Sequence, residues 1–66
     1  MLGKVKRFNK SKGFGFIETN DCEQDVFFYY DSLIMDGFKT IDEGADVEFD
    51  LVNGDRGPAA KNIKKI

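Results

Sequence analysis

Val26 to Tyr30 reads V-F-F-Y-Y, an unbroken run of β-branched and aromatic residues. Such side chains fit the pleated surface of a sheet and lose rotamer freedom in a helix, so the run is a strand. A second segment, K-G-F-G-F-I-E from Lys12 to Glu18, alternates large rings with glycine. Successive strand residues point to opposite faces, which puts Phe14 and Phe16 on one face and Ile17 on the other. A third segment alternates Val47, Phe49 and Leu51 with Glu48 and Asp50, the period-2 pattern of a strand with one face buried. A chain of 66 residues has room for one domain, residues 1–66, and its class is all-β.

The remaining text extends this pattern. Leu2–Phe8 mixes apolar and basic residues as a first strand, and Asn9–Gly13 is a turn cluster. Phe14–Glu18 is the second strand, Thr19–Gln24 a polar loop and Val26–Tyr30 the third strand. Asp46–Val52 is the fourth, and Asn53–Gly57 is a turn. Pro58 suits the first position of a strand, because it donates no ladder hydrogen bond. Ala59–Ile66 is then the fifth strand, although Ile63 and Ile66 lie three apart, a spacing that a bulge or a frayed end would reconcile. Residues 31–45 fit neither period, and Asp31-Ser32 is placed to cap one helical turn through Leu33–Met35. Five short strands with a long link after the third describe a small closed or nearly closed barrel, of OB or SH3-like type.

Charge narrows the function. The net charge is −2, yet it is unevenly spread. Residues 1–17 carry Lys4, Lys6, Arg7, Lys10 and Lys12 and no acid. Residues 18–55 hold all twelve acids, and residues 56–66 are again purely basic. A dipolar surface follows if the two ends meet in space, and local field rather than net charge steers a charged ligand. His is absent, so catalytic schemes built on it are excluded, and no cysteine or carboxylate cluster has ligand spacing for a metal. No nucleophile–base pair is visible, so an enzyme is not expected, nor is a cofactor. The single Cys22 has no intramolecular partner, no apolar run is long enough for a membrane span, and M-L-G-K-V-K-R has no secretory pattern. A cytoplasmic protein away from the membrane is expected.

The faces decide what the rings are for. One assignment places Ile17, Val26, Phe28, Val47, Phe49 and Leu51 inside, with Val5, Leu33 and Ile63. It leaves Phe14, Phe16, Phe27 and Tyr29 side by side on the outside. The reverse assignment turns Val26 and Phe28 outward, saves no apolar surface and crowds four adjacent rings into a small barrel. The aliphatic core is favoured. The exposed rings are flanked by Lys6, Arg7, Lys10 and Lys12, and a large exposed apolar patch marks a binding site. Flat π-faces among cations suit single-stranded nucleic acid, whose bases stack on the rings while lysine and arginine follow the phosphates. A peptide-binding SH3-like module gripping a proline-rich segment is the alternative, though it has no need of the basic flanks. Gly13 and Gly15 begin a phosphate-loop pattern but lack its third glycine and its helix, and close backbone approach or strong twist is their role instead.

These motifs together resemble the bacterial cold shock proteins, from Met1 almost to Ile66. Lys12-Gly13-Phe14-Gly15-Phe16-Ile17 is similar to the family's first ribonucleoprotein-type motif, and Val26-Phe27-Phe28-Tyr29-Tyr30 to its second. Gly3–Asn9, Gly37–Thr40 and Arg56–Ala60 match in order and spacing as well. The resemblance implies a five-stranded antiparallel Greek-key barrel of the OB-fold. It also implies binding of single-stranded RNA and DNA, a role as an RNA chaperone that keeps transcripts unpaired in the cold, and transcription antitermination as a related role. By position it assigns the binding face to Lys6, Phe8, Lys12, Phe14, Phe16, Phe27, Tyr29, Tyr30, Phe38 and Arg56. By strand period alone Tyr30 points inward. Arg7 joins the site by place but departs from the family, which usually has Trp there, and a guanidinium stacks on bases and pairs with phosphate. Tyr29 and Tyr30 stand where the family often has His and Phe, and each keeps a ring. A monomer is expected, and the long link is a hinge on which a strand-swapped dimer is conceivable.

Overall fold

The computed structural model describes residues 1–35, 40–55 and 57–66. The expected contacts of Phe38 and Arg56 therefore lie outside the described residues. Five strands form: β1 (Leu2–Asn9), β2 (Phe14–Thr19), β3 (Cys22–Tyr29), β4 (Asp46–Gly54) and β5 (Gly57–Lys65). They close into a barrel in the order β1-β2-β3-β5-β4, with β4 returning to pair with β1. This all-β closed barrel is the expected OB-type fold. Four seams are antiparallel, while β3 meets β5 in parallel through the pair Phe27 and Ala59.

The interior follows from alternation. Val5, Ile17 and Val26 lie in one register row across β1, β2 and β3, and all three are buried. Phe28, Leu33, Val47, Phe49 and Ile63 complete the core that the alternation selects. Leu51 does not belong to it, being 37% exposed. It sits opposite Ala60, three residues from the Gly54–Gly57 end of the β4–β5 hairpin. Ala60 and Ile41 are buried in its place. Ile41 comes from the long link, where no period marks an inward residue.

A bulge explains the uneven spacing in β5. Glu48 pairs with Lys64 and Asp50 with Lys61, so β5 carries one residue more than β4 between these pairs. Asn62 takes a left-handed φ of 53°, a region that Asn tolerates better than most residues. Its amide donates to Asp50 Oδ2 at 2.9 Å. The extra residue turns Ala60 and Ile63 to the same side although they are three apart, whereas Ile66 is exposed.

The helical turn forms earlier than the sequence places it. Tyr30–Ser32 is a single 3-10 turn, and Leu33 follows as its C-cap. Leu33 bridges to Ile63 in parallel, and Ile34 N–H donates to the Ile63 carbonyl at 2.8 Å. The link after β3 is thereby docked on β5 from its first residues.

Gly15 holds the two faces of β2 apart. It is buried between Phe8 on β1 and Phe28 on β3 in one register row. A Cβ at Gly15 would lie 2.8 Å from Phe28 Cζ and 2.3 Å from the Arg7 carbonyl oxygen. The Phe28 ring lies over the glycine and stacks with Phe8, centroids 5.7 Å apart and planes 6° from parallel. Gly15→Ala should therefore destabilise the domain by about 1–3 kcal/mol, the usual cost of overpacking. Urea unfolding of the variant with an unchanged midpoint would show that the ring has room to move.

Candidate nucleic-acid interface

The outward face of β1, β2 and β3 carries two register rows. One runs Arg7, Phe16, Phe27 and the other Asn9, Phe14, Tyr29. A bulge sets this register: Val5 pairs with Ile17 and Arg7 with Phe16, so β1 spends an extra residue at Lys6. Without it, Arg7 would follow the inward parity of Val5, since residues two apart share a face.

The four rings of these rows make one continuous patch. Phe14 meets Phe27 in a stacked pair at 5.8 Å and Phe16 edge-on at 6.2 Å. Phe16 meets Phe27 at 5.6 Å, and Phe27 meets Tyr29 at 4.8 Å, both T-shaped. Offset and edge-to-face contacts of this kind are the favoured aromatic geometries. They leave the phenylalanines half-buried against one another, with Tyr29 50% exposed. A groove of about 350 Å³ runs beside the rings, and Gln24, Asp25 and Pro58 complete its wall.

Phe8, Lys12 and Tyr30 stand elsewhere. Phe8 faces the Gly15 side of the sheet, against the core, rather than the outer ring patch. With Lys10, Ser11, Lys12, Gly13, Tyr30 and Thr40 it lines a separate depression of about 220 Å³. Tyr30 is 52% exposed rather than inward, because the strand ends at Tyr29 and the 3-10 turn breaks the alternation. The β1–β2 turn is fixed by Asn9, whose Oδ1 accepts from the Ser11 and Lys12 amides at 3.0 Å each. Gly13 then takes a φ of 74°, with its amide on the Asn9 carbonyl and its own carbonyl accepting from Tyr30 N–H at 2.7 Å. A Cβ there would meet the Tyr30 ring at 2.6 Å, so glycine both makes the turn and admits the ring.

The charge pattern differs from a simple meeting of basic ends. β4 lies between β1 and β5, and its acids face their lysines: Lys4 opposite Asp46, Lys64 opposite Glu48 and Lys61 opposite Asp50. Lys4 Nζ lies 3.9 Å from Asp46 Oδ1. Lys6 is also held, at 3.1 Å from Asp25 Oδ2, beside the ring patch. Among the described residues, Arg7, Lys10 and Lys12 form no salt bridge. Among the described residues, the positive charge of β1 and its turn left without a salt bridge therefore lies at Arg7, Lys10 and Lys12.

Comparison with known proteins places this arrangement. The family model described as the 'Cold-shock' DNA-binding domain matches residues 1–66. The chain belongs to the cold shock domain family. It is 52% identical to a cold shock-like protein CspC of Bacillus cereus, over the full length of both chains. It is 52% identical to a cold shock protein CspA of Staphylococcus haemolyticus over 64 residues, 97% of this chain and 96% of that one. Among solved structures, one described as drosophila Unr CSD456 superposes on 98% of this chain and 26% of its own, with a TM-score of 0.81 at 23% identity, a likeness of fold. Cold shock domains are nucleic-acid-binding modules. Among the described residues there is no group of side chains placed to hold a metal ion, and no helix long and apolar enough to cross a membrane.

Of the groove wall, Gln24, Asp25 and Pro58 are not among the residues that sequence pattern or resemblance assigns to the site. Asp25 shares the parity of Phe27 and Tyr29, so alternation alone places it on their face. Pro58 reaches the rings through the β3–β5 seam, for which the sequence carries no local signal. The faces themselves give a direct stability test. Ile17→Ala should cost about 2–5 kcal/mol, as a buried Ile in a packed core does, and Phe16→Ala distinctly less. Equal losses in thermal or urea unfolding would show that the ring patch is part of the core.

Proposed function

We propose that this chain binds single-stranded RNA and DNA, and that it acts as an RNA chaperone by trapping unpaired strands. The observation that carries this is the continuous outward patch of Phe14, Phe16, Phe27 and Tyr29 beside the free cations of β1 and its turn. Each stacked base gains about 1–3 kcal/mol on such a ring, and every base has a π-face, so sequence preference is low. A duplex hides these faces, so binding competes with pairing and favours the open strand. Antitermination follows from the same competition when the strand held open belongs to a terminator hairpin. A monomer in the cytoplasm suits this role, and Phe38 and Arg56 are proposed to extend the contact by their family positions.

The family resemblance suggests a bound strand of roughly six or seven nucleotides, within the range of single OB barrels. Titration with a pyrimidine-rich single strand at two salt concentrations, with its duplex as control, tests the reading. The log–log slope should be about −0.7 for each phosphate contacted. Equal affinity for the duplex would sink the stacking model, and Phe16→Ala should weaken binding by about 1–3 kcal/mol.

The Lys6–Asp25 pair sets a second test. Asp25 occupies the ammonium that would otherwise meet a phosphate, and it adds an anion to the groove wall. Asp25→Asn is expected to raise affinity at low salt and to steepen the salt slope by about 0.7. Stability should change by no more than about 1 kcal/mol, because exposed ion pairs contribute little. An unchanged slope would mean that Lys6 stays out of the ligand's path.

A further inference from the structure

Three cations of β1 lie close together in sequence and have different partners. Lys4 is beside Asp46 and Lys6 beside Asp25, whereas Arg7 forms no salt bridge among the described residues. Arg7 is exposed, and it stands directly opposite Phe16 at the end of the row Arg7, Phe16, Phe27. The bulge sets Lys6 and Arg7 together against Phe16, and Asp25 holds Lys6. Arg7 is thus the cation left without a salt bridge beside Phe16, next to any base stacked on that ring.

We propose that Arg7 reads the edge of the base stacked on Phe16 and selects guanine there. The inference rests on the single-strand reading above and adds a preference at one position to binding that is otherwise tolerant of sequence. Guanine presents O6 and N7, two adjacent acceptors that match the two parallel donors of a guanidinium fork. Adenine offers an acceptor and a donor on that edge. Thymine offers one acceptor beside a methyl group, and cytosine a donor. In a duplex this pairing is read in the major groove, whereas an unpaired guanine on a ring carries the same edge exposed. Lys10 and Lys12, in the turn beyond Asn9, are also without a salt bridge among the described residues and supply the phosphate contacts. The Arg7 fork is thus left to specify while they position.

The test uses labelled heptamers, each all thymine except for one guanine moved stepwise along the strand, against an all-thymine heptamer. Guanine at one position should bind at least about fivefold more tightly than thymine, the low end of what a bidentate pair discriminates. Replacing that guanine by 7-deazaguanine, which lacks the N7 acceptor, should remove the gain. Arg7→Ala should also remove it, with thermal unfolding used to confirm that the exposed substitution leaves the barrel folded. Three results would overturn the inference while leaving single-strand binding intact. They are no guanine preference at any position, a preference that survives both 7-deazaguanine and Arg7→Ala, or an Arg7→Ala loss that is uniform across sequences and lowers the salt slope by about 0.7. The last would mark a phosphate contact. Failure of every heptamer to bind, the all-thymine strand included, would overturn the single-strand reading and the inference with it.

Discussion

The Phe28 ring lying across Gly15 is the contact on which the rest of this barrel depends. β2 has to present rings outward and still leave room inward for a neighbour's ring, and a residue without Cβ meets both needs. With Phe28 seated there, Phe8 stacks on it from β1, and three strands are locked in one register. That register fixes Ile17 against Val5 and Val26 in the core. It also sends Phe14 and Phe16 to the opposite face. The large apolar groups on the outside are therefore a consequence of how the inside is packed.

The outer face is then organised by ring against ring and charge against charge. Edge-on and stacked contacts hold four aromatic side chains in a fixed patch without burying them fully. Carboxylates stand against much of the basic charge that the sequence places at both ends. β4 inserts its acids between β1 and β5, and Asp25 holds Lys6. An acidic chain of net charge −2 keeps cations on the ring side, because among the described residues Arg7, Lys10 and Lys12 of β1 and its turn form no salt bridge. Affinity for a polyanion is then set by local geometry, with the free cations making it salt-dependent and the acids limiting it.

Much of this was legible in the residues. The alternation of β2, β3 and β4 identified the buried set apart from Leu51, and the inside–outside choice followed from comparing two neighbouring strands. The spacing of Ile63 and Ile66 signalled irregularity in β5, and a bulge at Asn62 is present there, although it brings Ala60 rather than Ile66 to the inner side. Ile41 was not legible, because a link residue has no period to reveal its direction. Phe8 was grouped with the outer rings by resemblance, and the one-residue bulge at Lys6 places it on the inner side instead.

The sequence by itself determined which residues alternate, and hence the strands, most of the core and the aromatic character of one face. These are local properties, carried by a period of two and by side-chain shape. Only the tertiary structure decided which strands meet across the barrel, because pairing between distant segments depends on closure and not on neighbours in the chain. That decision put β4 between the two basic ends, brought Pro58 to the rings across the parallel seam, and turned Arg7 to the side of Phe16 through one extra residue in β1.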